Sequence, residues 1–302
     1  MADSFKVWVA HGASMLATGI LLSTALMGGG LLGLLFGALI GIAVLLSLGV
    51  SWGLALLAGR FESLDRAEPR LSSWSIAYPV ALNSMLFMSL VQGVYSQLAL
   101  LGASVVGMLV LVKPKLTKPD STAVYKGVIG GFSAFIVILL LSYILGSIGL
   151  FKTDLAMVSL SLTGGLNGGE IYGWYMLAVV AFAEETWRFS TLLVTGSRGD
   201  WRTAVAVSFA WFIWMHAPSR IAQVGAFAFV VLFLIGLAIT IIWYFTRSFW
   251  GMIVGHALYN TLLAGLYYGT LLVDVILLFV LVYAIYSVSV PRIEVGGEAG
   301  GE

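Results

Sequence analysis

The sequence contains no cysteine, so disulfide cross-links and thiolate–metal chemistry are both excluded. Charge is almost as scarce. Asp, Glu, Lys and Arg make up 10% of the 302 residues, against roughly 25% in a soluble globular domain. The formal net charge is +1, so there is no basic excess to hold a phosphate backbone, and no nucleic-acid partner is expected. Only three histidines occur, which confines any imidazole chemistry to His11, His216 and His256. What fills the chain instead is apolar: 60% of the residues, with a mean hydropathy of +1.03.

Apolar runs long enough to cross a hydrocarbon core of about 30 Å recur along the sequence. Inside lipid every backbone polar group must bond within the protein, which leaves helices or closed barrels. Runs such as Gly127 to Leu150 lack the alternation of barrel strands, so helices are expected. The reading is an all-α polytopic membrane helix bundle of about ten spans (eight to ten), in contact with a lipid bilayer. The spans are placed at 7–28, 31–59, 75–92, 94–112, 127–150, 171–194, 203–217, 224–246, 250–269 and 271–290. The run 75–112 is divided because a single helix there would be about 57 Å long. Val7 to Leu26 is longer than a usual signal-peptide core and is followed at once by a second apolar run, so it reads as a span.

Charged breaks fall at Arg60 to Arg70 and at Lys113 to Lys126, the second with Pro114 and Pro119. A third break, Lys152 to Glu170, is rich in glycine, and residues 291–302 read as a disordered tail. With the N-terminus inside, Lys6, Arg60, Arg66, Arg70, Lys113, Lys115, Lys118, Lys126, Arg198, Arg202, Arg247 and Arg292 fall on the cytoplasmic side. Only Lys152 and Arg220 fall outside, so both termini are expected in the cytoplasm. Gly29, Gly33, Gly37 and Gly41 line one helix face, a spacing that lets membrane helices approach closely, within the chain or between subunits. The oligomeric state does not follow from it.

Ionisable groups inside spans are costly and are functional candidates by default. Glu184, Glu185 and Arg188 lie in one span, His216 in the next, and His256 with Asn260 in the ninth. Asp274 and His11 sit close to span ends. Glu184 and Arg188 are four residues apart and can pair, and helical pairing also works at the three-residue spacing of Glu185 and Arg188. The two glutamates are turned about 100° from each other, so one can be held by the arginine while the other serves as a general base. His256 and Asn260 share a helix face and could donate to a carbonyl oxygen and the oxyanion formed from it. Counted from the inner span ends, these groups lie roughly 10–20 Å deep on three separate helices, which permits one shared polar site. His216 and His256 with a carboxylate could also hold zinc and leave one position open for water.

In their order, Glu184-Glu185 followed by Arg188, Phe212-Ile213-Trp214-Met215-His216, and His256-Ala257-Leu258-Tyr259-Asn260 resemble the CPBP family of intramembrane proteases. That family includes the type II CAAX prenyl proteases and bacteriocin-processing proteins, and its motifs are EExxxR, FxxxH and HxxxN or HxxxD. The resemblance covers about residues 171–265. It implies an intramembrane endopeptidase core at 127–290, in the C-terminal half, with helices of unassigned role at 1–126. By resemblance a glutamate and His216 activate water, His256 and Asn260 stabilise the oxyanion, and Arg188 forms a structural ion pair. The implied partner is a membrane-associated peptide or protein substrate, and the family permits a metal-free mechanism beside zinc. One departure stands out: the first motif here is one residue shorter than EExxxR. Aligned on the arginine, Glu184 becomes the pairing glutamate; aligned on the pair, Glu184 becomes the catalytic one. The rival reading from the residues is a proton- or ion-coupled transporter or a non-catalytic scaffold using the same cluster. Against a carrier, the chain shows neither an internal repeat nor paired broken helices.

Overall fold

The computed structural model describes Gly30, Leu31, Leu35, residues 121–149 and 227–268, Thr270, and positions within 180–192, 205–220 and 272–283. The expected spans at 7–28, 75–92 and 94–112, nearly all of 31–59, and the Gly29–Gly41 stripe therefore lie outside the described residues. So do the breaks at 60–70 and 152–170, the start of the break at 113–126, the tail, His11 and Asp274. Among the described residues every regular element is helical and no strand occurs. The three continuous helices are α1 (Ser121–Ser147), α2 (Ala228–Thr246) and α3 (Phe249–Tyr268).

Helix α1 has 27 residues and is about 40 Å long, enough to cross a bilayer. It begins six residues before the expected 127, so Lys126 lies in the helix and not in a break. The reason is chemical: after Pro119 nothing forbids helical backbone, and an exposed lysine near a helix end keeps its ammonium at the polar boundary. The helix ends where Gly149 turns to φ +77 and donates its N–H to Gly146 O at 3.0 Å.

Helix α1 buries Gly127, Gly130, Gly131 and Ala134 together with Val128, Phe135 and Ile138, and it also exposes large apolar side chains: Phe132, Ile136, Leu140, Tyr143 and Ile144. Large apolar side chains turned outward suit contact with lipid. Small residues turned inward let backbones meet. A Cβ on Gly131 would strike the carbonyl oxygen of Gly255, and one on Gly127 would lie 2.6 Å from Gly251 O. Each helix therefore offers a pair of glycines four residues apart, and α1 and α3 touch through backbone. Helix α1 also packs along α2.

Helices α2 and α3 are joined by only Arg247 and Ser248. Arg247 takes a left-handed conformation (φ 47) and its N–H caps Trp243 O at 3.0 Å. Ser248 then opens α3, its hydroxyl accepting the Gly251 N–H at 3.1 Å. The hydroxyls of Thr186, Thr240 and Thr246 each return to the carbonyl four residues earlier, so these polar groups are satisfied within their own helices.

The Gly131–Gly255 contact sits directly beside His256, so it fixes how deep that imidazole stands. Gly131→Ala forces a methyl group against a backbone carbonyl and should lower stability by about 1–3 kcal/mol, measured by unfolding in detergent. An unchanged stability would mean that the two helices do not meet at this point.

Candidate active site

Consecutive glutamates on a helix point in directions about 100° apart, and the structure separates Glu184 from Glu185 on that basis. Arg188, one turn on, takes Glu185. Its Nε donates to Glu185 Oε2 at 2.7 Å, and Nη2 lies 2.7 Å from the same oxygen. The three-residue spacing is thus the one used, and Glu184 is left unclaimed by this arginine.

The pair is sealed. Glu185 and Arg188 are both fully buried. The rings of Phe189, Phe209 and Trp243 stand 5.5, 5.5 and 5.6 Å from the guanidinium carbon, a cage that favours a weakly hydrated cation. Ser208, from the helical positions in 205–220, accepts from Arg188 Nη1 at 3.4 Å and donates to the Arg188 carbonyl at 3.2 Å. Phe189 in turn packs on Phe249 at the start of α3, ring centroids 5.1 Å apart. The arginine therefore ties three helical segments together.

The second oxygen of Glu185 reaches α3, where Oε1 lies 3.0 Å from His256 Nδ1. An ion-paired carboxylate only accepts, so Nδ1 carries the proton and donates. His216 is fixed in the same sense by its own helix: Nδ1 lies 2.7 Å from Phe212 O, and a carbonyl also only accepts. In their neutral forms both imidazoles therefore present a bare Nε2. Both face one atom, Glu184 Oε2, at 3.6 Å from His256 and 3.9 Å from His216. The Phe212 ring lies against both imidazoles, with centroids 4.8 and 5.4 Å away. This one residue thus sets the His216 tautomer with its carbonyl and spaces the two rings with its side chain.

Two imidazole lone pairs and a carboxylate oxygen repel one another unless a donor joins them. Protons, or the hydrogens of a water, suit that requirement. Exposure shows where it is met. Glu184 retains 21% of its side-chain surface and His216 15%, whereas Glu185 has none. Only the first glutamate is reachable.

The structure thus brings together Glu184, Glu185, Arg188, His216 and His256, as the depth argument from sequence expected. Asn260 lies one turn beyond His256 on α3, half-buried, and among the described residues makes no hydrogen bond within the cluster. Among the described residues no group of three His, Asp or Glu side chains is set to hold a metal ion. The expectation of His216 and His256 as zinc ligands is taken to the chelator test below. The tryptophans Trp174, Trp187, Trp211 and Trp214 lie outside the described residues.

One residue escaped the sequence reading. Arg220 was expected among the outer-side charges beyond the span 203–217. It is helical and 2% exposed, and so is no loop residue. Its four-residue offset from His216 was available as a signal, but a tally of charges near span ends treats every such arginine as a loop residue.

Residues 169–262 match the family model of the Rce1-like type II CAAX prenyl endopeptidases. The resemblance read from the three motifs is thereby borne out over this segment, which contains every residue of the cluster together with Asn260 and Arg220. The family is one of integral membrane proteins, in keeping with the lipid-suited faces of α1. No curated protein and no solved structure matches the chain.

The cage makes a stability prediction independent of any activity. Arg188→Met leaves Glu185 as an uncompensated buried charge and should cost about 3–5 kcal/mol. Adding Glu185→Gln to that variant should recover much of the loss. Detergent unfolding of the single and double variants checks both values.

Proposed function

We propose that this protein is an intramembrane endopeptidase that hydrolyses a peptide bond of a membrane-associated peptide or protein. The observation that carries the reading is the shared focus of His216 Nε2 and His256 Nε2 on Glu184 Oε2, with Glu185 committed to Arg188. The family match supports a protease, and the reachable carboxylate supports Glu184 as its base.

A water seated between Glu184 Oε2 and His216 Nε2 donates one hydrogen to each. As its oxygen attacks the substrate carbonyl carbon, the proton on the Glu184 side moves to the carboxylate. The former carbonyl oxygen becomes an oxyanion. His256, in its imidazolium form, donates from Nε2 to that oxygen, and Asn260, one turn away, supplies a second donor from its carboxamide. Glu185 holds the His256 ring by Nδ1 throughout, and so serves as a positioning residue. When the tetrahedral species collapses, protonated Glu184 returns its proton to the leaving nitrogen, the amine departs, and the other product keeps the new carboxyl group. No step needs a metal.

The remaining architecture is proposed with it: about ten spans, both termini in the cytoplasm, a core over 127–290 and an N-terminal part over 1–126. The orientation is supported by the charge asymmetry of the sequence, with only Lys152 and Arg220 on the outer side. A prenylated tail is what the matched family's name specifies; for this chain it is one substrate to offer.

Purified protein with a membrane-tethered peptide gives the test. Glu184→Gln should lower the cleavage rate by roughly 10²-fold or more, and Glu185→Ala should lower it through loss of His256 orientation. Full cleavage by the double variant Glu184→Ala/Glu185→Ala would end the reading. Treatment with a zinc chelator should leave the rate unchanged; a loss reversed by added zinc would instead assign a metal to His216 and His256. Proton flux in liposomes that vanishes with Glu184→Gln, without cleavage, would favour transport.

A further inference from the structure

Tyr125, Phe132, Ile136 and Tyr143 of α1 are all exposed and lie on one face of the helix. Tyr125 and Tyr143 close that stripe at its two ends, five turns or about 27 Å apart along the axis. A hydrocarbon core is about 30 Å thick, and tyrosine rings gather at both of its boundaries. The two tyrosines therefore mark where α1 enters and leaves the lipid.

At the Tyr125 boundary the fold brings two cations to one place. Lys126 is exposed and lies one turn before Gly130 on the same face. A Cβ on Gly130 would stand 3.2 Å from Ile242 Cα and 3.4 Å from Phe245 Cβ, and one on Gly127 would stand 2.6 Å from Gly251 O. The start of α1 thus packs on the chain to either side of Arg247. Arg247 is only half-buried, its backbone is left-handed (φ 47), and its guanidinium carbon lies 5.7 Å from the centre of the Tyr244 ring. That ring is itself exposed. The end of the α2 dipole accounts for one cation at this point, and a lone lysine can be explained by its ammonium reaching for the boundary. Neither explains two cations converging. Among the described residues the only side-chain carboxylates are Glu184 and Glu185, and both belong to the cluster. No carboxylate among them offsets the pair.

We infer that Lys126 and Arg247, flanked by the rings of Tyr125 and Tyr244, bind the headgroup of an anionic phospholipid. Ammonium and guanidinium offer the phosphate charge-assisted hydrogen bonds, and the planar guanidinium can take two of its oxygens. The tyrosine rings suit the headgroup level, and the exposed side chains of Phe132 and Ile136 below them suit the acyl chains. One headgroup would then tie the start of α1 to the link between α2 and α3. His256 lies about 10 Å along α3 from that link, so the lipid holds together the two helices whose contact sets its depth. The site does not depend on the protease reading.

Titration of the full-length protein in detergent tests the inference, with bound lipid read by native mass spectrometry. The probes are short-chain phosphatidylglycerol and phosphatidylcholine, whose choline cancels the phosphate charge. The wild type should bind phosphatidylglycerol the more tightly. Lys126→Gln and Arg247→Gln should each weaken that binding about fivefold, and the double variant roughly thirtyfold, with phosphatidylcholine binding unchanged. Lys126→Arg/Arg247→Lys keeps both charges and should retain most of the affinity. Equal affinity of the wild type and the Gln double variant for phosphatidylglycerol would overturn the inference. So would a parallel loss toward phosphatidylcholine, which would trace the effect to packing and not to charge. Displacement of phosphatidylglycerol by inorganic phosphate at equal concentration would assign a site for free phosphate and overturn it as well. Absence of cleavage by the wild type would defeat the protease reading and leave these affinities unaffected.

Discussion

Arg188 is a full positive charge with no access to solvent, held between the carboxylate of Glu185 and three aromatic rings. Taking both ions out of water is costly, and the attraction between them offsets that cost only when geometry is good and the remaining donors are satisfied. That condition reaches outward. Ser208 must stand where it meets Nη1, so the 205–220 positions are registered against 180–192. Phe189 and Trp243 must form the walls of the cage, which registers α2 and the start of α3. Once Glu185 is held from one side, its other oxygen selects the Nδ1–H tautomer of His256. The position of the clustered glutamates and histidines therefore follows from how one cation is buried.

The backbone contact between α1 and α3 does the complementary work from the opposite side. Lipid offers no hydrophobic drive for two apolar helices to associate, so close van der Waals packing has to hold them. Glycines at Gly127, Gly131, Gly251 and Gly255 make that approach possible, and Gly255 is the immediate neighbour of His256. Helix α1 lies outside the matched family segment. It nevertheless sets the depth of α3, so its glycines belong to the physical description of the site as much as the motif residues do.

Much of this was legible in the sequence, and the reasons differ by feature. The helical class followed from unbroken apolar runs, because lipid leaves the backbone few options. The gathering of Glu184, His216 and His256 followed from depth along three spans, which depends only on the rise per residue. The boundary at Lys126 was misplaced because charge marks the membrane surface and not the end of a helix, and α1 runs on past it. The burial of Arg220 was not legible for a related reason: a charge tally knows position along the chain but not burial. The glycine pairs of α1 and α3 were present as four-residue spacings. Without knowing which helices are neighbours, however, one such stripe cannot be told from another, and Gly29–Gly41 is the longer repeat in the sequence.

The shortened first motif shows how a helix absorbs a change in spacing. In EExxxR the second glutamate lies four residues from the arginine and the first lies five. Here the spacings are three and four, and both fall within pairing range. Sequence periodicity alone thus leaves two carboxylates competing for one guanidinium. The contest is settled by what surrounds the arginine. Ser208 and the three rings fix the guanidinium on the side of Glu185, and His256 draws the same carboxylate from α3 by its free oxygen. The guanidinium and the Nδ1–H of His256 both bind Glu185, while Glu184 meets only the Nε2 side of the two imidazoles. With the shorter spacing of this chain one carboxylate is sealed and the other reachable, a division of the kind that general-base chemistry asks of two adjacent glutamates.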